Sequence, residues 1–105
     1  MTSIVPRYRV LLKYNIHPEH QDRYYRYMIA ELVPQMRKLG MYMIYAWNVA
    51  YGPYPERQVE FVCEDKYTLK TILEGDEWAK AEAYLQEYTT QYSRKIVHFQ
   101  NRFQF

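Results

Sequence analysis

The sequence predicts an α+β domain in which one antiparallel sheet carries helices on a single face. Three features of the 105-residue chain predict it. Tyr8 to His17 alternates with the two-residue period of a strand, with Tyr8, Val10, Leu12, Tyr14 and Ile16 on one face and Arg9, Leu11, Lys13, Asn15 and His17 on the other. Residues 41–51 and 58–64 form two further strand-like runs on either side of the turn sequence Gly52-Pro53-Tyr54-Pro55. Residues 18–39 and 66–92 repeat their apolar side chains at helical spacing, and residues 94–105 alternate again.

Each element has a local reason. Pro18 suits a first helical turn, where its missing N–H has no partner to lose, and Glu19 and Asp22 place negative charge at the positive end of the helix dipole. Tyr24, Met28, Leu32, Met36 and Leu39 then form an apolar stripe that ends at Gly40. Pro34 removes one hydrogen bond inside that helix and predicts a kink near 30–34. Met41 to Tyr51 is aromatic and β-branched, as a strand requires. In the next strand Val59, Phe61 and Cys63 lie on one face, and Gln58, Glu60, Val62 and Glu64 on the other. Asp65 predicts the cap of a short helix over 66–74, and Gly75 interrupts before a second segment capped by Asp76. That segment is expected to reach about Tyr92 through Trp78, Ala81, Leu85 and Tyr88. The last strand sets Val97, Phe99, Asn101 and Phe103 against Ile96, His98, Gln100 and Arg102.

The resulting order, β-α-β-β-α-β, is the ferredoxin-like split plan, read as one domain over residues 1–105 with no repeat or linker. A net charge of +2, with both signs interspersed, excludes the basic footprint of a nucleic-acid binder. The third strand, Arg57 to Glu64, also lacks the glycines of an RNA-recognition motif and carries Glu60 and Glu64 where phosphate would lie. No run approaches the roughly 20 apolar residues of a membrane helix, and the N-terminus lacks the apolar core of a signal peptide. The lone cysteine, Cys63, allows no internal disulfide, and a reducing cytoplasm is the expected location. Thirteen tyrosines exceed what a small core can bury with every hydroxyl bonded, so some are expected at an interface or cavity.

Three stretches carry a family resemblance: Tyr14-Asn15-Ile16-His17-Pro18, Val33-Pro34-Gln35-Met36-Arg37-Lys38-Leu39-Gly40, and Glu74-Gly75-Asp76-Glu77-Trp78. With them the chain resembles the dimeric α+β barrel proteins, which include the antibiotic-biosynthesis monooxygenase, EthD-like and NIPSNAP-like groups. The resemblance implies a homodimer whose sheets pack face to face, a cavity for a small organic molecule, and use of the terminal Phe99, Phe103 and Phe105 in packing. It also implies cofactor-independent chemistry, in which a phenolic substrate is deprotonated beside molecular oxygen. The haem-degrading relatives use an asparagine, a tryptophan and a histidine. Asn15 and Trp78 match the first two in place, but the helix near Tyr88 holds no histidine, and Trp78 reads more simply as core.

Alternation places Arg9, Lys13, Asn15, His17, Asn48, Glu60, Glu64, His98, Gln100 and Arg102 on the uncovered face. As a site, this set makes His98 a general acid or base oriented by Glu60, with Arg9 or Arg102 facing developing negative charge. Lys13, Asn15, His17, Asn48 and Trp78 complete the substrate-binding expectation. A one-residue slip in register would disperse the set. The competing expectation is a non-catalytic interaction protein whose polar face is consumed by charge pairing across a dimer seam. His17 and His20 alone are too few for a metal site, and no metal or cofactor is expected.

Overall fold

Asp65 shows how local chemistry sets this fold. Its carboxylate accepts from the Thr68 backbone N–H at 2.7 Å and from the Thr68 hydroxyl at 2.8 Å, which starts helix α3 (Lys66–Glu74) where the cap residue stands. The computed structural model describes residues 7–49 and 56–98. Besides α3 it contains β1 (Tyr8–Ile16), α1 (Gln21–Tyr27), α2 (Val33–Leu39), β2 (Met41–Val49), β3 (Glu56–Cys63), α4 (Asp76–Tyr88) and β4 (Thr89–His98).

A short 3-10 turn, Pro18–His20, leads into α1, and a π-helical turn, Met28–Leu32, joins α1 to α2. Pro34 accounts for that turn. Its nitrogen has no hydrogen to donate and its ring displaces the carbonyl four residues back, so the Val33 N–H bonds to Met28 O, one residue beyond the usual partner. Gly40 ends α2 at φ +106°, a left-handed conformation open to glycine.

The strands form one antiparallel sheet in the order β2-β3-β1-β4. Val10, Leu12 and Tyr14 of β1 and Val59, Phe61 and Cys63 of β3 face the helices, joined by Met28, Leu32 and Met36 from the first helical stretch and by Leu69, Trp78 and Leu85 from the second. Each such side chain contributes on the order of 1.5–3 kcal/mol of burial. The faces expected of β1 and β3, the Gly40 stop, the Asp65 cap and the α3 bounds all match the sequence reading.

Three expectations are corrected. α4 ends at Tyr88, not near Tyr92, because Thr89 and Thr90 begin a strand in which the Thr89 hydroxyl donates to Leu85 O at 2.7 Å. Gly75, not Asp76, holds the cap position of α4. β2 carries an irregularity between Met43 and Tyr45, which moves Asn48 from the open face to the helix side, opposite Arg57. The ends of the expected strands at 50–51 and 99–105, including Phe99, Gln100, Arg102, Phe103 and Phe105, lie outside the described residues.

Candidate functional site

The α3 helix places Lys66, Leu69, Lys70, Leu73 and Glu74 at helical spacing along one flank, and core burial of Leu69 holds that flank against the sheet. Opposite it, register sets Tyr8 against His98 and Val10 against Ile96 at the β1–β4 edge. Helix and edge enclose a groove of about 370 Å³. The Tyr8 and His98 rings are stacked, with centroids 4.6 Å apart and planes 8° from parallel. Leu69, Leu73 and Ile96 supply apolar wall, while Lys66 and Lys70 outnumber the single carboxylate, Glu74. Such a groove suits a flat apolar body with a negatively polarised substituent.

His98 therefore belongs to the helix side of the sheet. Glu60 does not: it faces the open side, where its Oε1 lies 3.1 Å from Arg9 Nη1. The expected His98–Glu60 pair is not formed, because Tyr8 and Leu11, their respective β1 partners, point to opposite faces. Glu60 is 5% exposed and Val62 beside it 2%, so the carboxylate is shielded even on the sheet's uncovered face, while the Arg9 side chain keeps about a third of its surface exposed. Lys13 is exposed on the same face, and Tyr45 and Trp47 of β2 stand there with ring centroids 5.8 Å apart. Glu64 is exposed just past β3.

The remaining predicted residues disperse. Trp78 is a core residue, 1% exposed, with the Arg94 guanidinium 6.0 Å from its ring centroid. The Tyr92 hydroxyl donates to Glu82 Oε2 at 2.7 Å, and Arg94 Nη1 lies 3.4 Å from the same oxygen. At the far end of the sheet Asn15 donates to Gln91 Oε1 at 3.0 Å, and Arg57 Nη1 donates to Asn48 Oδ1 at 3.3 Å. Asn15, Asn48 and Arg57 there line a small pocket of about 90 Å³. His17 holds the chain through its backbone N–H, which donates to Tyr88 O at 2.9 Å, and its ring meets His20 edge-on. Arg102 lies outside the described residues. Among the described residues no group of three or more His, Cys, Asp or Glu side chains is placed to hold a metal.

Beneath the sheet end, the hydroxyls of Tyr14 and Tyr24 are hydrogen-bonded to each other. Burial pushes both phenols up; for Tyr24 hydrogen bonding to Tyr14 and Arg57 pulls the other way. Burial, followed by the Asp65 charge, pushes the Cys63 thiol up to about 11, and its Sγ–H donates to Gly40 O at 3.4 Å. That is a core thiol and a poor nucleophile.

Sequence reasoning missed Tyr8, Lys66, Lys70 and Ile96 around His98, and Arg57 beside Asn48. The helical spacing of Lys66, Lys70 and Leu73 was visible, but their meeting with His98 depends on the β1–β4 register, which no local pattern encodes.

No protein-family model matches the chain, and no curated protein matches its sequence. Solved structures do. A Deinococcus radiodurans protein described as a candidate antibiotic biosynthesis monooxygenase aligns at TM-score 0.66 and 9% identity, covering 93% of this chain and 97% of its own. An antibiotic biosynthesis monooxygenase aligns at 0.60 and 16% identity, covering 90% and 98% respectively. An EthD family protein of Bacillus halodurans aligns at 0.56 and 13% identity, covering 89% and 99%. At such identities the likeness is one of architecture, and the chain has the ferredoxin-like α+β fold that these antibiotic biosynthesis monooxygenase and EthD structures share.

Proposed function

We propose that this chain binds and transforms a small aromatic compound bearing an acidic hydroxyl, held in the α3 groove, and that it acts as a homodimer joined through the open sheet face. The observation that carries the reading is the stacked Tyr8–His98 pair, set in an apolar groove lined by Lys66 and Lys70. An aromatic ring gains from the flat, apolar walls, and the two ammonium groups favour the phenolate over the phenol. His98 is the base for the hydroxyl proton, a lysine holds the resulting oxyanion, and the electron-rich phenolate is the form that reacts with molecular oxygen. Likeness of fold to monooxygenases supports the reaction class by analogy only.

The dimer reading rests on the open face, where exposed Tyr45 and Trp47 stand beside the Arg9–Glu60 pair, whose carboxylate is buried and whose guanidinium is partly exposed. That same pairing favours one competing reading, a non-catalytic interaction protein whose polar face serves association alone.

Fluorescence titration with 1-naphthol tests the groove. Saturable binding is expected, with His98→Ala weakening it about tenfold, or roughly 1.4 kcal/mol, and Ile96→Lys blocking it. No saturation at millimolar naphthol, or equal binding by both variants and the parent, overturns the ligand reading in favour of the interaction protein. Native mass spectrometry checks the subunit number; a monomer removes the dimer.

A further inference from the structure

The helix-facing side of the sheet is apolar along most of β3, yet Arg57 points into it opposite Tyr14. Its guanidinium carbon lies 5.3 Å from the Tyr25 ring centroid, and Nη1 donates to Asn48 Oδ1. Its Nε is buried and has no hydrogen-bond acceptor among the described residues. No carboxylate among those residues lies within ion-pair distance of Arg57, whereas Arg9 and Arg94 each have one. A half-buried cation held by a neutral amide, the Tyr24 hydroxyl and an aromatic ring has no counter-charge among the described residues.

The pocket of about 90 Å³ beside it is lined by Asn15, Gln21, Tyr25 and Asn48 as well as Arg57, and no Asp or Glu among the described residues lines it. Asn48 turns its oxygen to Arg57, which leaves its amide N–H groups as donors. From this arrangement we infer that the pocket is a binding site for a small monocarboxylate. The guanidinium fork matches the two oxygens of a carboxylate. One positive charge among neutral donors balances a monoanion, but not a phosphate carrying about −1.5 to −2. The volume holds a carboxylate with a short carbon chain and excludes a second ring beside Tyr25. The site is separate from the His98 groove: Tyr8 and Asn15 are seven positions apart on β1, about 23 Å along an extended strand.

Titration of the ¹⁵N-labelled full chain with sodium acetate, followed at the arginine Nε–H resonances, tests the inference. Arg57→Gln identifies the Arg57 signal. A saturable shift of that signal in the millimolar range is expected, absent with sodium chloride at equal ionic strength and at least severalfold weaker with phosphate. Asn48→Asp supplies an internal carboxylate beside the guanidinium and is expected to abolish the acetate response. A wild-type signal that acetate moves no further than chloride does overturns the site, and this outcome needs no variant to fold. Unchanged acetate affinity in Asn48→Asp also overturns it, and phosphate binding as tightly as acetate overturns the monocarboxylate assignment.

Discussion

The hydrogen-bonded Tyr14 and Tyr24 hydroxyls make an asymmetric prediction. Tyr14 is 1% exposed and Tyr24 fully buried, so neither hydroxyl can turn to water. Tyr24 also interacts with Arg57, while Tyr14 has no other hydroxyl partner among the described residues. Tyr14→Phe therefore removes one bond and leaves the Tyr24 hydroxyl engaged, at a cost of about 0.5–1.5 kcal/mol. Tyr24→Phe strands the Tyr14 hydroxyl in the core and withdraws an acceptor from Arg57, at about 1–3 kcal/mol. Phenylalanine keeps each ring in place, so no cavity contributes. Once Tyr24 is Phe, adding Tyr14→Phe removes an orphaned hydroxyl and is expected to be neutral or stabilising. Urea unfolding of the parent, both single variants and the double variant measures this, with a coupling of at least about 0.5 kcal/mol expected. At roughly 4–8 °C per kcal/mol for a domain near this size, the order is also visible in Tm. Additive costs, or a Tyr14→Phe cost equal to that of Tyr24→Phe, would refute the reasoning.

Gly40→Ala must place a side chain at φ +106° with its Cβ 3.0 Å from Thr68 Cγ2, and is expected to cost at least about 1–2 kcal/mol by thermal unfolding. Alkali addresses the buried phenols: burial raises Tyr14, Tyr24 and Tyr92 above the ordinary tyrosine value, so their contribution is complete below about pH 10 and declines as pH rises beyond it. Each such group steepens the loss by up to about 1.4 kcal/mol per pH unit, and urea midpoints should show a shallower decline for Tyr92→Phe. At the acid end, the Thr68 backbone N–H and hydroxyl hold the Asp65 carboxyl below its usual range. Its contribution is present above about pH 4 and lost as pH falls through the lower folded value, so Asp65→Asn should flatten the acid limb of a stability profile.

Much of the architecture followed from local chemistry. The alternation of Tyr8, Val10, Leu12 and Tyr14, the Gly40 stop and the Asp65 cap each depend on neighbours a few residues away, and each stands where local rules place it. Pro34 likewise announced a broken turn, though not that the chain would absorb it as a π-helical one. Tyr92 shows how a correct face can accompany a wrong element. It continues the α4 stripe four residues after Tyr88, yet it lies on β4 and still faces the core, stacked on Tyr14 with centroids 5.9 Å apart.

The candidate site was legible only in its residue types. Asn48 changed faces because β2 is irregular between Met43 and Tyr45, and His98 faces the helices because β4 starts at Thr89 and turns Tyr92 and Arg94 toward Tyr14, Trp78 and Glu82. Strand side chains alternate with period two, so a single-residue shift in pairing exchanges the faces. The sequence by itself determined the order of strands and helices and which way β1 and β3 face, because those rest on periodicity and capping, but not where α4 gives way to β4. Tertiary structure alone decided that His98 meets Lys66 and Lys70, that Glu60 meets Arg9, and that Arg57 meets Asn48. Those meetings depend on register between strands far apart in the chain, a long-range choice made by packing.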